Sequence, residues 1–474
     1  MKRTIFTVTL ALVFSSIMFA QIRPTDQTGI NIFETPKTPT EFNGLKVDIG
    51  GAFALPYMAL SHSNSLGAYS ASNPNTLFPV AHNFALSMAN LYLNTQLADG
   101  VTLNFTLYLA SKHHNETWVK GGYIQFDKVP FIHLDLLDNI MKFTTFKVGQ
   151  MEVNYGDAHF RRSDGGNAIY NPFMENYIMD EFATEIGAEA DFHFKDFIAV
   201  AAITDGELNP DLQKVNTVKD SVSNGSHNPA FIAKLGYDKQ VTEKLRVRLT
   251  GSVYYTAGSI KNTLFGGDRS GSNYSGVMYN AAPGTGTAFN GRYNPGFSDK
   301  ITTAMGNLFL KYKPMDWLAV ESFTTYEKAK GRTTVEPVER KATQIASDLV
   351  FRFGKNENFF AGVRYNTLKA DAPKAVISPI QAVSAKAVVY IDNNNHALGI
   401  MTPAVAAVAY VPGYITPAYT AAIDRLAVSA GWFITKNIMA KVEYANQTYS
   451  GFPTGNIYDG GEFHGLSAEA VIAF

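Results

Sequence analysis

Residues 101–110 read Val-Thr-Leu-Asn-Phe-Thr-Leu-Tyr-Leu-Ala, with an apolar side chain at every odd position and mostly polar ones between them. Apolar residues at every second position are typical of a β-strand, whose side chains point alternately to the two faces of a sheet. The alternation recurs in residues 184–194 and 245–257. Strands of soluble sandwiches usually have about five or six residues, whereas a ~25 Å apolar band crossed at ~45° needs about ten. These segments therefore predict a transmembrane antiparallel β-barrel.

The composition agrees with a barrel and excludes several other classes. The chain has 474 residues, of which 46% are hydrophobic and 17% charged, and it has no cysteine. This charged fraction is below the roughly 25% of an average soluble domain. The absence of cysteine excludes a disulfide-stapled fold and a thiolate metal site. A formal net charge of -1 argues against a nucleic-acid binder.

The N-terminus has the features of a secretory signal. Lys2 and Arg3 precede an apolar run, and Ala20 offers a small residue at the end of it. This order predicts a cleaved signal peptide over residues 1–20 and a mature protein in the envelope or the exterior of a bacterium. Together with the predicted barrel, it indicates the bacterial outer membrane. Residues 21–42 form a polar lead assigned to the periplasm, although a place in the lumen stays open. Residues 43–474 are expected to form a single barrel.

Sixteen strands are predicted, and the connections between them alternate in length. The strands are expected to begin near residues 45, 84, 101, 119, 143, 183, 197, 230, 244, 302, 317, 342, 359, 423, 438 and 462. Short turns on one side and long polar loops on the other are typical of outer-membrane barrels, with the short turns periplasmic. The longer connection at residues 128–142 has the apolar spacing of one helical turn. Residues 385–410 could add two strands and make eighteen, but Pro403, Pro412 and Pro417 punctuate this part of the chain, so we interpret it as an extracellular hairpin.

The third long loop is the densest in charged and aromatic residues. Residues 155–180 read YGDAHFRRSDGGNAIYNPFMENYIMD. On the runs at residues 156–164 and 171–180 the chain resembles the porin family of Bacteroidota, which is related at the fold level to phosphate-selective porins. The resemblance implies a third loop folded into a water-filled lumen and a homotrimer. The constriction residues that it implies are Asp157, His159, Arg161, Arg162, Asp164, Glu175 and Asp180.

Two of these residues have alternative roles. Arg161 and Arg162 carry planar guanidinium forks that can bind a phosphate or a carboxylate. They can equally tie the loop to acidic groups of the lumen such as Glu185, or to Asp157 and Asp164. The first role gives selectivity and the second gives structure.

The alternation also predicts which charges face the lumen. The acidic and basic residues expected to point inward are Glu185, Glu189, Asp191, Arg246, Arg248, Lys311, Lys313, Arg352, Arg364 and Lys441. Either these charges simply occupy the wet face, or a basic wall opposes an acidic wall and creates a transverse field that tunes ion choice. At the C-terminus Phe474 ends an alternating strand and resembles the aromatic residue by which the barrel-assembly machinery recognises outer-membrane barrels.

The predicted function is a porin for passive diffusion of small hydrophilic solutes and ions, in contact with outer-membrane lipid. A first alternative is an uptake channel selective for phosphate or another anion, and a second is a structural or enzymatic barrel with a blocked lumen. No Gly-x-Ser-x-Gly nucleophile motif is present, so an enzyme is not expected. No cofactor or metal is expected either, because the His113-His114 pair with Glu116 lacks a further converging ligand.

Overall fold

The computed structural model describes residues 23–474, apart from residues 36, 38–40, 71–74, 86, 111–116, 164, 209, 211–226, 260–261, 268–272, 275, 281–290, 334–337, 374, 378–387, 392–396, 402–413 and 417. The predicted signal peptide, the His113-His114 pair and Asp164 lie outside these described residues.

Sixteen antiparallel strands form one closed sheet. They are β1 (Lys46–Ser63), β2 (Met88–Ala98), β3 (Val101–Ala110), β4 (Trp118–Phe126), β5 (Thr144–Glu152), β6 (Thr184–Phe194), β7 (Phe197–Thr204), β8 (Ala230–Thr242), β9 (Leu245–Thr256), β10 (Asp299–Met315), β11 (Leu318–Arg332), β12 (Glu339–Phe353), β13 (Phe359–Ala372), β14 (Tyr419–Thr435), β15 (Ile438–Ser450) and β16 (Glu462–Ala473). Each pairs with the next along the chain, and β16 pairs with β1 from Ala52↔Ala473 to Ser63↔Glu462. Because this last pairing closes the sheet, the predicted sixteen-stranded barrel is confirmed.

A few short elements lie outside the sixteen strands. The two-residue strand Asn83–Phe84 pairs with β1 and extends the sheet. Val388–Ile391 pairs with Ala397–Met401 in a separate two-stranded sheet. Val388–Ile391 therefore belongs to a hairpin that is not part of the barrel, whereas residues 404–410 lie outside the described residues. Because β13 pairs directly with β14 in the closed sheet, the eighteen-strand alternative is wrong.

The connections differ in length, as the sequence predicts. Two residues join β2 to β3, and two join β6 to β7, whereas residues 257–298 join β9 to β10. The longer connection between β4 and β5 carries α1 (Asp135–Met141), which confirms the predicted helical turn. The described residues also contain 3-10 helices at Gln27–Gly29, Ala158–Arg161, Gly165–Tyr170 and Leu264–Gly266, and a two-stranded sheet in which Ala375–Ile377 pairs with Tyr414–Thr416. Among the described residues no helix is long and apolar enough to cross a membrane.

In this sheet the apolar side chains are exposed and the polar side chains are buried, which is the reverse of the arrangement in a soluble protein. On β9 Leu249 and Val253 are 57% and 46% exposed, whereas Thr250 and Ser252 between them are buried. On β6 Ile186 is exposed and Glu185 buried in the same way. The apolar face is therefore the outer one, and the polar face surrounds the interior. This confirms the alternation from which the barrel was predicted.

Candidate functional site

The third long connection, residues 153–183, lies inside the barrel, and we call it the lumen loop. Its backbone donates hydrogen bonds to side chains that point inward from distant strands. The N–H of Met174 donates to Glu443 at 2.8 Å, and that of Met179 donates to Gln344 at 2.8 Å. Because these acceptors belong to β15 and β12, the loop crosses the interior and contacts the side of the barrel opposite its own strands.

The entry of the lumen loop is fixed by a glycine and by a buried carboxylate. Gly156 has a φ of 69°, and an added Cβ would lie 2.2 Å from Sδ of Met305, so the turn requires glycine. Its N–H donates to Ser252 at 2.9 Å. The N–H of the next residue, Asp157, donates to Asn307 at 3.0 Å. These contacts turn the Asp157 side chain towards the wall formed by β8 and β9.

Asp157 belongs to a buried cluster of four charges. Arg248 donates to it from Nε at 2.8 Å and from Nη2 at 2.9 Å, and Nζ of Lys234 lies 3.3 Å away. Glu34, from the N-terminal lead, contacts the same two cations at 3.0 Å from Lys234 and 2.5 Å from Arg248. Burial opposes ionisation of both carboxylates, but the two cations outweigh it. They hold the pKa of Asp157 well below its usual range and lower that of Glu34 to about 2.

Glu34 reaches this cluster because the N-terminal lead crosses the interior. The N–H of Gln27 donates to the carbonyl of Lys436 in the short turn between β14 and β15, at 2.8 Å. Further along, Asn31 donates to Glu321 at 2.6 Å, and the ring of Phe33 lies 5.5 Å from that of Phe309. The residues described between 23 and 35 thus lie against the barrel wall and the lumen loop.

Most of the predicted constriction residues are paired with neighbours. Arg162 and Arg292 both contact Asp180, which accepts from Nη2 of Arg162 at 3.1 Å. The two cations outweigh the effect of burial and lower the pKa of Asp180. The Glu175 carboxylate accepts from the N–H of Asn273 at 2.7 Å. Arg162 is therefore tied to Asp180, a partner different from the carboxylates named from the sequence.

Arg161 and His159 are placed differently. Arg161 lies 4.8 Å from the centre of the Phe323 ring, and its closest ion-pair contact is to Asp348 at 3.9 Å. His159 is held between Glu152 and Asn154, each at 3.1 Å. Burial lowers the pKa of His159, which makes its neutral form the dominant one at neutral pH.

A cavity of about 300 Å3 separates the lumen loop from one side of the barrel. It is lined by the inner faces of β2 to β6, by the N-terminal lead and by the lumen loop, including His159. Along β5 it extends from the Glu152↔Thr184 pair to the Thr145↔Asp191 pair. Those seven residue steps correspond to roughly 23 Å at the rise of a β-strand. The cavity therefore follows the wall over most of the length of a strand.

Most of the residues that line the cavity have polar, uncharged side chains. The amide and hydroxyl side chains among them include Asn90, Asn94, Asn104, Asn167, Thr106 and Gln125. Of the charged groups, Lys147 is paired with Glu189 at 2.8 Å and with Asp191 at 2.6 Å. The two predicted acidic residues thus share a cation on the adjacent strand that the sequence reasoning missed.

The other predicted lumen charges also have partners. Glu185 accepts from the hydroxyls of Thr204 and Tyr254, the latter at 2.9 Å. The basic residues are paired as follows: Arg246 with Asp238 at 2.7 Å, Lys311 with Glu321 at 3.1 Å, Lys313 with Glu357 at 3.4 Å, Arg352 with Glu321 at 2.9 Å, Arg364 with Asp348 at 2.7 Å and Lys441 with Glu469 at 2.8 Å. Because each basic side chain has a carboxylate beside it, the basic wall carries little net charge.

Comparison with known proteins gives similarity in overall structure only. The sequence matches no family profile and no curated protein. Among solved structures, an anion-selective porin from Comamonas acidovorans is 9% identical, with a TM-score of 0.45, over 91% of this chain and 100% of that one. The outer membrane channel DcaP of Acinetobacter baumannii is 11% identical, with a TM-score of 0.44, over 91% and 98%. The trimer form of OmpT, an outer membrane protein of Vibrio cholerae, is 10% identical, with a TM-score of 0.44, over 91% and 100%.

Proposed function

We propose that the protein is a porin of a bacterial outer membrane, through which small hydrophilic solutes diffuse passively. The observation that carries this proposal is the polar cavity that follows β2 to β6 for roughly 23 Å. Amide and hydroxyl side chains that line a space can hydrogen-bond to a polar solute and so replace part of its hydration shell. The apolar outer face of the barrel offers the solute no such hydrogen bonds. We call this cavity the passage.

The exposed side chains support a membrane location. Large aliphatic side chains are exposed on several strands: Leu235 on β8 is 70% exposed, Val442 on β15 is 54% exposed and Leu466 on β16 is 59% exposed. An apolar belt around the whole barrel is unfavourable in water and is typical of strands that face lipid. Phe474, the residue directly after β16, is 63% exposed, which suits the proposed recognition by the barrel-assembly machinery.

We further propose that the lumen loop is the constriction, and that its position controls passage more than its arginines do. Among the predicted constriction residues that the structure describes, only His159 lines the passage. Asp157, Arg162 and Asp180 face other partners and hold the loop in place. The mixed signs of the lining, with Lys147 beside two carboxylates, favour weak ion selectivity over a phosphate-specific channel.

Narrowing the passage tests this proposal. Asn94→Trp places a large ring in the passage, whereas Val148→Trp adds the same ring on the outer face of β5, where Val148 is 50% exposed. We expect Asn94→Trp to reduce single-channel conductance in planar bilayers severalfold, because less water and ion volume remains, and Val148→Trp to leave it unchanged. Absence of conductance in the unmodified protein, with no sugar uptake by liposomes, would instead indicate a blocked barrel.

The ion preference distinguishes the porin from the anion-selective alternative. Conductance that rises linearly with salt and shows no saturation with phosphate supports the general porin. Saturation at low phosphate concentration, together with a reversal potential that favours anions, supports the selective channel. The proposed homotrimer is tested separately, by comparing mass on native gels before and after heating.

A further inference from the structure

The connection between β4 and β5, residues 127–143, is longer than the barrel requires, and we call it the rim segment. It lies at the same edge of the sheet as the two-residue turns that join β2 to β3 and β6 to β7. Two residues are enough to join neighbouring antiparallel strands, so the additional residues are not needed to close the sheet. They comprise α1 and a run of large apolar side chains.

Most of the large apolar side chains of the rim segment are exposed. Leu136 is 74% exposed and Phe131 is 66% exposed, and the others are Ile132, Leu134 and Ile140. Within α1 the only buried residue is Met141. The barrel therefore covers a small part of the apolar surface of this segment. Exposed apolar side chains so close together usually mark a surface that contacts a protein or a membrane.

The first half of the rim segment contacts the outer face of the barrel. The ring of Phe131 lies 6.2 Å from that of Phe126, the last residue of β4. Phe126 comes two positions after the exposed Ile124, so it belongs to the same outward-facing set. The exposed apolar surface of the segment thus begins where the outer face of β4 ends.

The second half of the rim segment meets the outer face of β6. The ring of Phe143 lies 6.2 Å from that of Phe192 and 5.2 Å from that of Phe194. Phe192 and Phe194 are exposed on the outward-facing side of β6. The segment therefore continues the apolar outer surface of β4 to β6 beyond the ends of these strands.

Polar contacts hold both ends of the rim segment in place. The N–H of Asp127 donates to the carbonyl of Gly100 at 2.7 Å, and its carboxylate accepts from Thr145 at 2.7 Å. At the other end, Lys37 of the N-terminal lead donates to the carbonyl of Thr144 at 2.7 Å and contacts that of Met141. The apolar side chains between these ends consequently have a defined position at the rim.

The charged residues of the rim segment are also exposed. Lys128 and Lys142 lie near its two ends, and Asp135 and Asp138 lie in the first turn of α1. Apolar side chains accompanied by charged ones are typical of a segment that lies along a membrane surface. There the apolar groups reach the acyl chains and the charged groups stay among the headgroups.

We propose that the rim segment lies in the interfacial layer of the membrane and binds phospholipid beside β4 to β6. Lipid is favoured over a second copy of the chain, because the apolar surface of the segment is continuous with strands that face lipid. The segment would anchor the rim beside the passage, which β5 lines with Thr145 and Lys147. The proposal rests on the proposed membrane location, but it does not depend on solute transport.

Spin labels on single cysteines test the proposal in phosphatidylcholine vesicles, and the lack of native cysteine makes each label unique. Leu136→Cys labels the exposed apolar side of α1, and Asp138→Cys lies roughly 200° further round the same helix. Leu249→Cys, on the outer face of β9, is the reference. Oxygen, which concentrates in lipid, should relax the label at position 136 severalfold more than a water-soluble nickel complex does. The opposite is expected at position 138.

The reference label separates this proposal from the proposed membrane location. Access of the nickel complex to position 249 would overturn the membrane location, and the lipid contact with it. A label in lipid at position 249 and in water at position 136 would overturn the lipid contact alone. A label at position 136 that neither reagent reaches would show that protein covers the segment, which also overturns the proposal.

Urea unfolding from the same vesicles provides a second measurement. Leu136→Ser should lower the midpoint urea concentration, because it removes an apolar side chain from lipid. Asp138→Ser should change the midpoint little, and any effect of serine on helix propensity is common to both variants. Equal midpoints in the two variants would contradict the proposal.

Discussion

At the scale of single residues, the interior is organised by charge pairs that combine three parts of the chain. Asp157 comes from the lumen loop, Glu34 from the N-terminal lead, and Arg248 from β9. Removing such groups from water is unfavourable unless each retains an opposite charge and hydrogen bonds. The cluster therefore favours one position of the loop and of the lead, because any other position would leave at least one charge buried and unpaired.

Asp157→Asn should destabilise the protein strongly. The substitution leaves Arg248 and Lys234 with Glu34 as their remaining carboxylate in the cluster, and loss of one partner of a buried pair typically costs roughly 3–5 kcal/mol. Denaturant unfolding in detergent measures the change. Asp99→Asn is the control, because its pair with Lys128 is about half exposed and contributes little. Equal losses in the two variants would show that the cluster has no special role.

Acid should weaken the same cluster. Glu34 has a pKa of about 2 in the folded protein against an ordinary value of 4.5. A carboxylate whose pKa is lowered by folding contributes stability above its ordinary pKa, and loses that contribution as pH falls towards the folded value. The unfolding temperature should therefore decrease between about pH 4.5 and about pH 2. The decrease should be smaller in Glu34→Gln and unchanged in Glu462→Gln, whose side chain is exposed.

At the scale of elements, the strands could be predicted well from the sequence, because the alternation that identifies each strand lies within the strand itself. The strict alternation of apolar and polar residues in β3, β6 and β9 shows directly which side chains face lipid and which face the interior. The same alternation would have placed Lys234 inward, since Phe231 and Leu235 on the same strand are exposed. The contacts of Glu34 had no such signal, because its partners lie about two hundred residues away and the lead has no periodicity.

The N-terminal lead offers a test at this scale. Replacing residues 23–35 with a glycine-serine linker of equal length removes Arg23 and Phe33 from the edge of the passage. Single-channel conductance in planar bilayers should increase, because a flexible polar linker does not hold a fixed position there. The same replacement at residues 41–44, which are mostly exposed, should leave conductance unchanged. Unchanged conductance in both variants would show that the lead does not limit flow.

At the scale of the whole molecule, the absence of cysteine makes every introduced thiol unique. In Asn104→Cys the thiol faces the passage, and in Leu249→Cys it faces the outside of the barrel. In membrane vesicles a small water-soluble thiol reagent should modify the first and leave the second unreacted, because lipid shields it. Rapid modification of Leu249→Cys would contradict a membrane-embedded barrel.

The seam between β1 and β16 has a consequence for biogenesis. These strands are separated by nearly the whole length of the barrel sequence, yet the backbone groups of β1 between Ala52 and Ser63 need β16 as their partner. In hydrocarbon, unpaired backbone groups are too costly for a partly formed barrel to be stable. In the proposed outer-membrane location, insertion would therefore have to await both strands. Until then, the polypeptide from Lys46 to Ala473, with its strongly apolar alternate face, would have to be kept unaggregated, a demand that a soluble protein of this size does not make.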